Sequence, residues 1–320
     1  MRAIVVERTG GPEVLAPADR ADPVPGPGEV VIDVAAAGVN FIDIYHRSGH
    51  YKMPLPFTPG IEAAGTVTAV GPDVTGLSAG DLVASSDVRG AYAERAVIDA
   101  DRAVPVPAAL SAEDAAAAML QGMTAHYLTH STYAVQPGDT VLVHAAAGGM
   151  GLLLTQYVKL LGGRVIGTVS TPDKERLARE AGADEIVGYA GCAAAVRELT
   201  GGEGVPVVYD GVGKATFEDS LAALRRRGTL ALYGAASGPV PPFDPARLAP
   251  SGSLFLTRPT LVHHIATREE LTTRATDVLT RIARGELRLH IGRRYRLADA
   301  RTAHEDLAGR RTTGKLLLLP

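Results

Sequence analysis

Val141-Leu-Val-His144-Ala-Ala-Ala-Gly148-Gly149-Met150-Gly151 is an apolar run that enters a glycine-rich turn and leaves it as the stretch Leu152–Leu161. A buried strand that turns on glycines into a helix is the setting in which a glycine fingerprint signals dinucleotide binding. Gly148 and Gly149 let the backbone approach a pyrophosphate. Gly151 lets the helix pack close to its strand, and the helix start offers N–H groups with partial positive charge. Ala146 stands at the first position of the usual G-x-G-x-x-G, so the pattern here is A-x-G-x-x-G. Alone, such a helix start can be purely structural. Its surroundings decide.

Those surroundings alternate between two periods. Thr140–Val143 reads as a strand and Gly149–Leu161 as a helix, then Arg164–Thr168 and Lys174–Ala181 repeat the pair. Glu185–Val187, Ala193–Thr200, Pro206–Tyr209, a helix near Phe217–Arg225 and a strand Gly228–Tyr233 continue it. This alternation predicts an α/β, Rossmann-type, doubly wound parallel sheet. Residues 1–110 differ. Valine-rich runs such as Glu29–Val34, Ala64–Val70 and Asp81–Ala84 are punctuated by Pro25-Gly26-Pro27-Gly28, Pro59-Gly60 and Gly71-Pro72-Asp73, which predicts a β-rich barrel or half-barrel. Ser111-Ala-Glu-Asp114 is a capping box opening an alanine-rich helix. Beyond residue 260, helices are expected near Arg268–Arg284 and Leu297–Gly309. A final strand, Lys315–Leu319, could return to the first domain and make it discontinuous.

The strand after the glycines distinguishes the nicotinamide cofactors. An NAD site carries Asp or Glu there for the ribose 2′-hydroxyl. This chain has Ser170-Thr171-Pro172-Asp173-Lys174. A hydroxyl pair and a lysine suit a 2′-phosphate, where a carboxylate would repel it. Asp173 fits this reading if it caps the next helix and points at backbone N–H groups. NADPH is therefore expected, with an ordinary solvated Lys174 as the plainer alternative.

Composition excludes other classes. The 320 residues are 46% apolar and 21% charged with net charge −3, which argues against disorder and against an electrostatic nucleic-acid or membrane partner. Glu7 and Arg8 interrupt the N-terminal apolar run, and no window gives about twenty uninterrupted apolar residues. A cytoplasmic protein is expected. Cys192 is the single cysteine, so neither a disulfide framework nor a multi-cysteine zinc site can form.

Gly38-Val-Asn40-Phe-Ile-Asp43-Ile-Tyr45-His-Arg47-Ser-Gly49 resembles the N-terminal signature of quinone oxidoreductases, the zeta-crystallin-like branch of the medium-chain dehydrogenase/reductase superfamily. Pro59-Gly-Ile-Glu-Ala-Ala-Gly65, Ser78-Ala-Gly-Asp-Leu-Val83, Val208-Tyr-Asp-Gly-Val-Gly213, Thr257-Arg-Pro-Thr-Leu261 and Thr313-Gly-Lys-Leu316 continue the match in order along the chain. The resemblance implies a Rossmann domain, 122–259, inserted in a GroES-like catalytic domain made of 1–121 and 260–320. It implies a site in the cleft between them, and a homodimer or tetramer.

The resemblance also implies a zinc-free enzyme. Zinc-dependent relatives carry cysteine where Asn40 stands and G-H-E where this chain has Gly60-Ile61-Glu62. With no Lewis acid to activate an alcohol, reduction of an activated acceptor is expected, a quinone or an enone. By the same resemblance Asn40, Tyr45 and Thr124 face the nicotinamide, with Asn40 and Tyr45 positioning substrate and ring. Gly148, Gly149, Met150 and Gly151 hold the pyrophosphate, and Ser170, Lys174 and Tyr189 surround the adenosine end. Val212 and Gly213, the loop Gly234, Ala235, Ala236 and Ser237, and Phe255 with Thr257 complete the cofactor cleft.

Each of these residues also has a plainer reading. Tyr45, expected in a loop, could be structural, a contact to cofactor or substrate, or a proton donor. Quinone reduction needs no protein acid, because water can supply protons. Arg47 could steer an anionic acceptor or simply be structural. His126 with His130, His263-His264 and His304-Glu305 read as structural, Cys192 as an inert thiol, and Arg225-Arg226-Arg227 as a solvated helix terminus. Two rivals to quinone reduction stay open: an enoyl-thioester or polyketide-type enoyl reductase of the same fold, and a non-catalytic NADPH-binding or RNA-binding protein. The acidic balance disfavours RNA.

Overall fold

The computed structural model describes residues 1–320, which divide into two compact units, Met1–Met123 with Ile265–Pro320, and Thr124–His264. In chain order the first unit opens with β1 (Arg2–Val5), β2 (Ala16–Asp19), β3 (Glu29–Val39), α1 (Phe41–Ser48), β4 (Ala63–Val70), β5 (Leu82–Ser85), β6 (Val88–Arg89), β7 (Arg95–Asp99) and β8 (Val104–Pro105). Helix α2 (Ala112–Tyr127) follows. The second unit then supplies β9 (Thr140–Val143), α3 (Gly149–Leu160), β10 (Arg164–Thr168), α4 (Pro172–Glu180), β11 (Glu185–Val187), α5 (Cys192–Leu199), β12 (Val205–Asp210), α6 (Phe217–Ala223), β13 (Leu224–Leu232) and β14 (Phe255–Thr257). The chain closes in the first unit with α7 (Arg268–Ala283), β15 (Ile291–Arg296), α8 (Ala300–Ala308) and β16 (Lys315–Leu319).

The second unit holds a six-stranded sheet in the order β11-β10-β9-β12-β13-β14, with every neighbouring pair parallel. Numbered within the unit this is 3-2-1-4-5-6, the doubly wound order, and the direction of winding reverses between β9 and β12. Ligands of such sheets bind outside the carboxyl ends of the strands at that switch point. The glycine turn follows β9, and Asp210 ends β12, so both sit there.

In the first unit β3 is the spine. One edge pairs β4; the other is shared, with β7 against Glu29–Asp33 and β16 against Ala37–Val39. β16 thus brings the C-terminal residues beside Gly38. Ile4, Ile32, Ile98, Tyr92, Leu316 and Leu318 pack the core of this unit. No helix of the chain is long and apolar enough to cross a membrane.

The structure corrects three local expectations. The helix expected to reach Arg225 ends at Ala223, and Arg225-Arg226-Arg227 lies in β13. Leu224 is buried and pairs with Val205, while the next pair is Val207 with Thr229. The arginines are a strand irregularity rather than a helix terminus, and Arg227 carries the positive φ, 59°, that the excursion needs. Secondly, Thr171 rather than Asp173 caps α4: its hydroxyl accepts from Lys174 N–H, and Pro172 takes the first helical position, where its missing N–H costs nothing. Thirdly, Tyr45 lies in a helix, α1, and not a loop. The Asp43 carboxylate accepts the Asn40 backbone N–H at 2.8 Å and closes the first turn, and Gly49 ends the helix at φ 79°.

Candidate cofactor and active site

In the second unit the glycine turn is built on backbone that leaves no room for a side chain at Gly151. Ala145 has φ 52°, and a Cβ on Gly151 would lie 2.3 Å from Ala145 O and 2.6 Å from Ala146 Cα. A Cβ on Gly148 meets only Ala145 O, at 3.2 Å, and otherwise points into open space before the start of α3. The first-turn N–H groups of α3, at Gly149, Met150 and Gly151, have no intrahelical acceptors. Free N–H groups at a helix start, with no side chain on Gly148 or Gly149 before them, fit the pyrophosphate of a dinucleotide. At the end of β10, Ser170 is exposed, and Lys174 Nζ donates to Ser170 Oγ at 3.4 Å. Tyr189 follows β11 and stacks its ring parallel to that of His144, with centroids 6.3 Å apart.

The loops after β12 and β13 are organised by one buried carboxylate. Asp210 Oδ1 accepts the N–H groups of Val212 at 2.7 Å and Gly213 at 2.9 Å. Its backbone carbonyl accepts from Tyr233 N–H and Gly234 N–H, and Ser237 returns both its N–H and its hydroxyl to Val212 O at 2.8 Å. Ala236 N–H donates to Gly211 O. Val212, Gly213 and Gly234–Ser237 therefore form one interlocked pair of turns. Thr257 is half-buried and Phe255 exposed on β14, the edge strand of the sheet.

In the first unit, Asn40 is buried at the end of β3, with its amide turned into a charged pair. Asn40 Nδ2 donates to Glu62 Oε2 at 2.8 Å and to Gly38 O at 3.3 Å, and Asn40 Oδ1 accepts from Lys315 Nζ at 2.7 Å. Glu62 Oε1 accepts the Leu120 backbone N–H at 2.6 Å. Gly38 makes room for this cluster, since a Cβ there would collide with the Glu62 carboxylate and Lys315 Nζ. Lys315 and its pairing with Glu62 were missed in the sequence. The available signal was a lysine opening the otherwise apolar run Lys315–Leu319.

A second buried network lies beneath α1. Tyr92 Oη donates to Asp43 Oδ2 at 3.0 Å and lies 3.0 Å from His304 Nε2, and Arg47 Nη1 lies 3.3 Å from His304 Nδ1. Burial pushes the Asp43 carboxyl up to about 7 against the lowering effect of the Asn40 N–H and the Tyr92 hydroxyl. Burial, helped by Arg47, holds His304 down at about 3, so its ring is neutral. Arg47 is thereby a structural brace between α1 and α8. Tyr45 is half-buried on α1, among Phe41, His50 and Tyr51, with the last two rings edge-on at 5.3 and 5.4 Å. Thr124 is half-buried on α2.

Other candidates are packed into the fold. His126 and His130 stack at 4.2 Å with Tyr157 edge-on to both. Cys192 is buried at the start of α5, where desolvation pushes its thiol up to about 12. No three His, Cys, Asp or Glu side chains converge in a way that could hold a metal ion.

Comparison with known proteins gives consistent relatives. Residues 26–108 match the family described as alcohol dehydrogenase GroES-like domain, and residues 149–281 the family described as zinc-binding dehydrogenase. A quinone oxidoreductase of Pseudomonas aeruginosa is 48% identical, with 97% of each chain covered. A 2-haloacrylate reductase of a Burkholderia species is 41% identical over 99% of this chain and 98% of its own. Among solved structures, a mycobacterial protein complexed with NADPH superposes with a TM-score of 0.98 at 53% identity, both chains fully covered.

Proposed function

The chain belongs to the quinone oxidoreductase branch of the medium-chain dehydrogenase/reductase superfamily, and from that premise we propose that it reduces quinones and related activated enones with NADPH and without a metal. The observation that carries this reading is the pairing of an open glycine turn with a hydroxyl and a lysine, Ser170 and Lys174, at the end of the neighbouring strand. The full-length relative with bound NADPH and the 48% identical quinone oxidoreductase support it.

In this reading the turn Gly148–Gly151 receives the pyrophosphate, Ser170 and Lys174 the 2′-phosphate, and Tyr189 the adenosine end. Thr124, the interlocked turns of Val212–Gly213 and Gly234–Ser237, and Phe255 with Thr257 line the rest. NADPH, when bound, supplies the hydride. The protein's contribution is orientation and exclusion of water. Asn40 and Tyr45 position ring and acceptor, Asn40 from a rigid place fixed by Glu62 and Lys315. Asn40, standing where the resemblance gives zinc-dependent relatives a cysteine, bonds with Glu62 and Lys315, which also bond with each other, and that mutual satisfaction supports the metal-free reading.

The test is an acceptor panel with NADPH and NADH side by side, in EDTA, following cofactor absorbance. Oxidation of NADPH by small quinones is expected. Bound NADPH with no turnover on any quinone or enone would sink the reading. The 2-haloacrylate reductase relative favours a second acceptor class, conjugated acids. Reduction of such a double bond needs a proton at carbon, and loss of turnover in Tyr45→Phe on that class alone would assign the proton to Tyr45. We also take the first unit as the substrate domain and the second as the NADPH domain of a cytoplasmic homodimer. An edge strand with Phe255 59% exposed supports the dimer. Light scattering at the monomer mass would reject it.

A further inference from the structure

The carboxyl ends of β9, β10 and β12 are joined by a chain of buried polar side chains whose ends are the two parts of the proposed cofactor site. His144 follows β9, Thr168 ends β10, Asp210 ends β12, and Ser220 and Thr216 lie on or just before α6. All five are buried. His144 Nδ1 lies 3.1 Å from Thr168 Oγ1, and His144 Nε2 lies 3.0 Å from Ser220 Oγ. Thr168 Oγ1 also accepts the Ala145 N–H at 3.1 Å, at the first residue of the glycine turn. Ser220 Oγ and Thr216 Oγ1 each donate to Asp210 Oδ2 at 2.7 Å. Asp210 Oδ1 holds the N–H groups of Val212 and Gly213.

Donor counting allows one arrangement. The Asp210 carboxyl gathers two backbone N–H groups and the Thr216 hydroxyl, so it acts as acceptor, the Ser220 hydroxyl proton points at it, and Ser220 Oγ accepts from His144. His144 therefore carries its proton on Nε2. Desolvation lowers the basicity of this ring more than Asp210 and Asp219 raise it, which keeps it neutral. A neutral ring protonated on Nε2 accepts at Nδ1, so the Thr168 hydroxyl donates to it, and the lone pairs left on Thr168 Oγ1 face the Ala145 N–H. Every hydrogen bond then runs in one direction, from the Ala145 backbone through Thr168, His144 and Ser220 to Asp210. Reversing any one member leaves two protons or two lone pairs facing each other inside the core, which is costly.

We propose that His144 is a positioning residue for the reaction, a one-proton relay that locks the pyrophosphate turn and the Val212–Gly213 turn into register with each other. It touches neither cofactor nor acceptor. Through Thr168 it sets the Ala145 backbone and hence the glycine turn; through Ser220 and Asp210 it sets the Val212–Gly213 turn, which lines the rest of the proposed cofactor cleft. The inference rests on the assignment of those two turns to NADPH made above. Its role follows from imidazole alone spanning both arms. Asn places an oxygen where Nδ1 stands and can serve only Thr168. Gln places an amide N–H where Nε2 stands and can serve only Ser220.

The test compares His144→Asn and His144→Gln, with NADPH affinity measured by fluorescence and turnover measured on a small quinone. His144→Asn should keep NADPH binding within about twofold and lose turnover by roughly tenfold, while His144→Gln should weaken NADPH binding by roughly tenfold. Equal effects in the two variants, or no effect in either, overturn the relay. Should either variant fail to fold, Thr168→Val and Ser220→Ala repeat the comparison from the two arms, and the same split is expected. Nitrogen-15 NMR of the wild-type protein reads the tautomer directly, and a proton on Nδ1 overturns the proposal whatever the kinetics. Gly148→Asp tests the site assignment separately, because it places a carboxylate at the pyrophosphate position and leaves the side chains of Thr168, His144, Ser220 and Asp210 in place. If Gly148→Asp binds NADPH as tightly as wild type, the site assignment has failed. If Gly148→Asp loses binding while the His144 variants behave alike, only the relay has failed.

Discussion

Lys315 Nζ lies 2.5 Å from Glu62 Oε2 with both side chains almost completely buried, joining the last strand of the chain to the start of β4. Asn40 closes the cluster by bonding to both. A buried ion pair contributes little over a well-packed apolar pair, but removing one partner strands the other charge. Lys315→Met is therefore expected to cost about 3–5 kcal/mol in urea unfolding. Adding Glu62→Gln should recover more than half of that loss. A single-variant cost below about 1 kcal/mol, the range of exposed pairs, would show that water reaches the cluster.

Asp43 and His304 give opposite pH dependences to stability. Asp43 is raised from 3.8 to about 7, so the folded state keeps a proton that the unfolded chain releases. Its contribution is complete below about pH 3.8 and is lost as pH rises toward 7. His304 is lowered from 6.5 to about 3. Its contribution is complete above about pH 6.5 and is lost as pH falls toward 3. Each slope is at most about 1.4 kcal/mol per pH unit, and the two oppose each other across the overlap. Thermal melts of wild type should be nearly flat from about pH 4 to 6.5. Asp43→Asn should gain stability as pH rises through that window, and His304→Gln should lose it. Parallel profiles for the two variants contradict the assignment.

Lys174 and Ser170 carry the preference for a 2′-phosphate. Lys174→Ala should raise KM for NADPH about tenfold, the scale of one charge-assisted hydrogen bond, and leave KM for NADH unchanged. An equal rise for both cofactors would place Lys174 at the shared part of the molecule instead.

The glycines of the turn should respond differently to one added methyl. In Gly151→Ala the Cβ meets backbone atoms that cannot swing away, and a loss of about 1–3 kcal/mol is expected, as for other overpacked sites. Gly148→Ala meets only Ala145 O, at 3.2 Å, and should cost less than Gly151→Ala, under about 1 kcal/mol, while weakening NADPH binding. Calorimetry with and without NADPH distinguishes the two. Similar melting temperatures for the apo variants would mean that Gly151 is not the close-packing position.

The doubly wound sheet and its glycine turn were readable because their signals are local. A strand, three glycines and a helix fit within the span Val141–Leu161, and the alternation of elements repeats at a period that single residues do not disturb. At two other places local signals compete. Arg225-Arg226-Arg227 looks like a helix terminus until Leu224 pairs with Val205. Tyr45 looks like a loop residue until the Asp43 carboxylate closes the turn around Asn40.

By itself, then, the sequence determined the architecture of the cofactor sheet, the one-cysteine chemistry and the resemblance that names the family. Only the tertiary structure decided what occupies the heart of each unit. Lys315 meets Glu62 across 253 positions and Asn40 across 275, and His144 meets Ser220 across 76. Such contacts leave no periodic trace in a single chain. A buried polar side chain is paid for by one partner of complementary donors and acceptors, and that partner can stand anywhere the fold brings it.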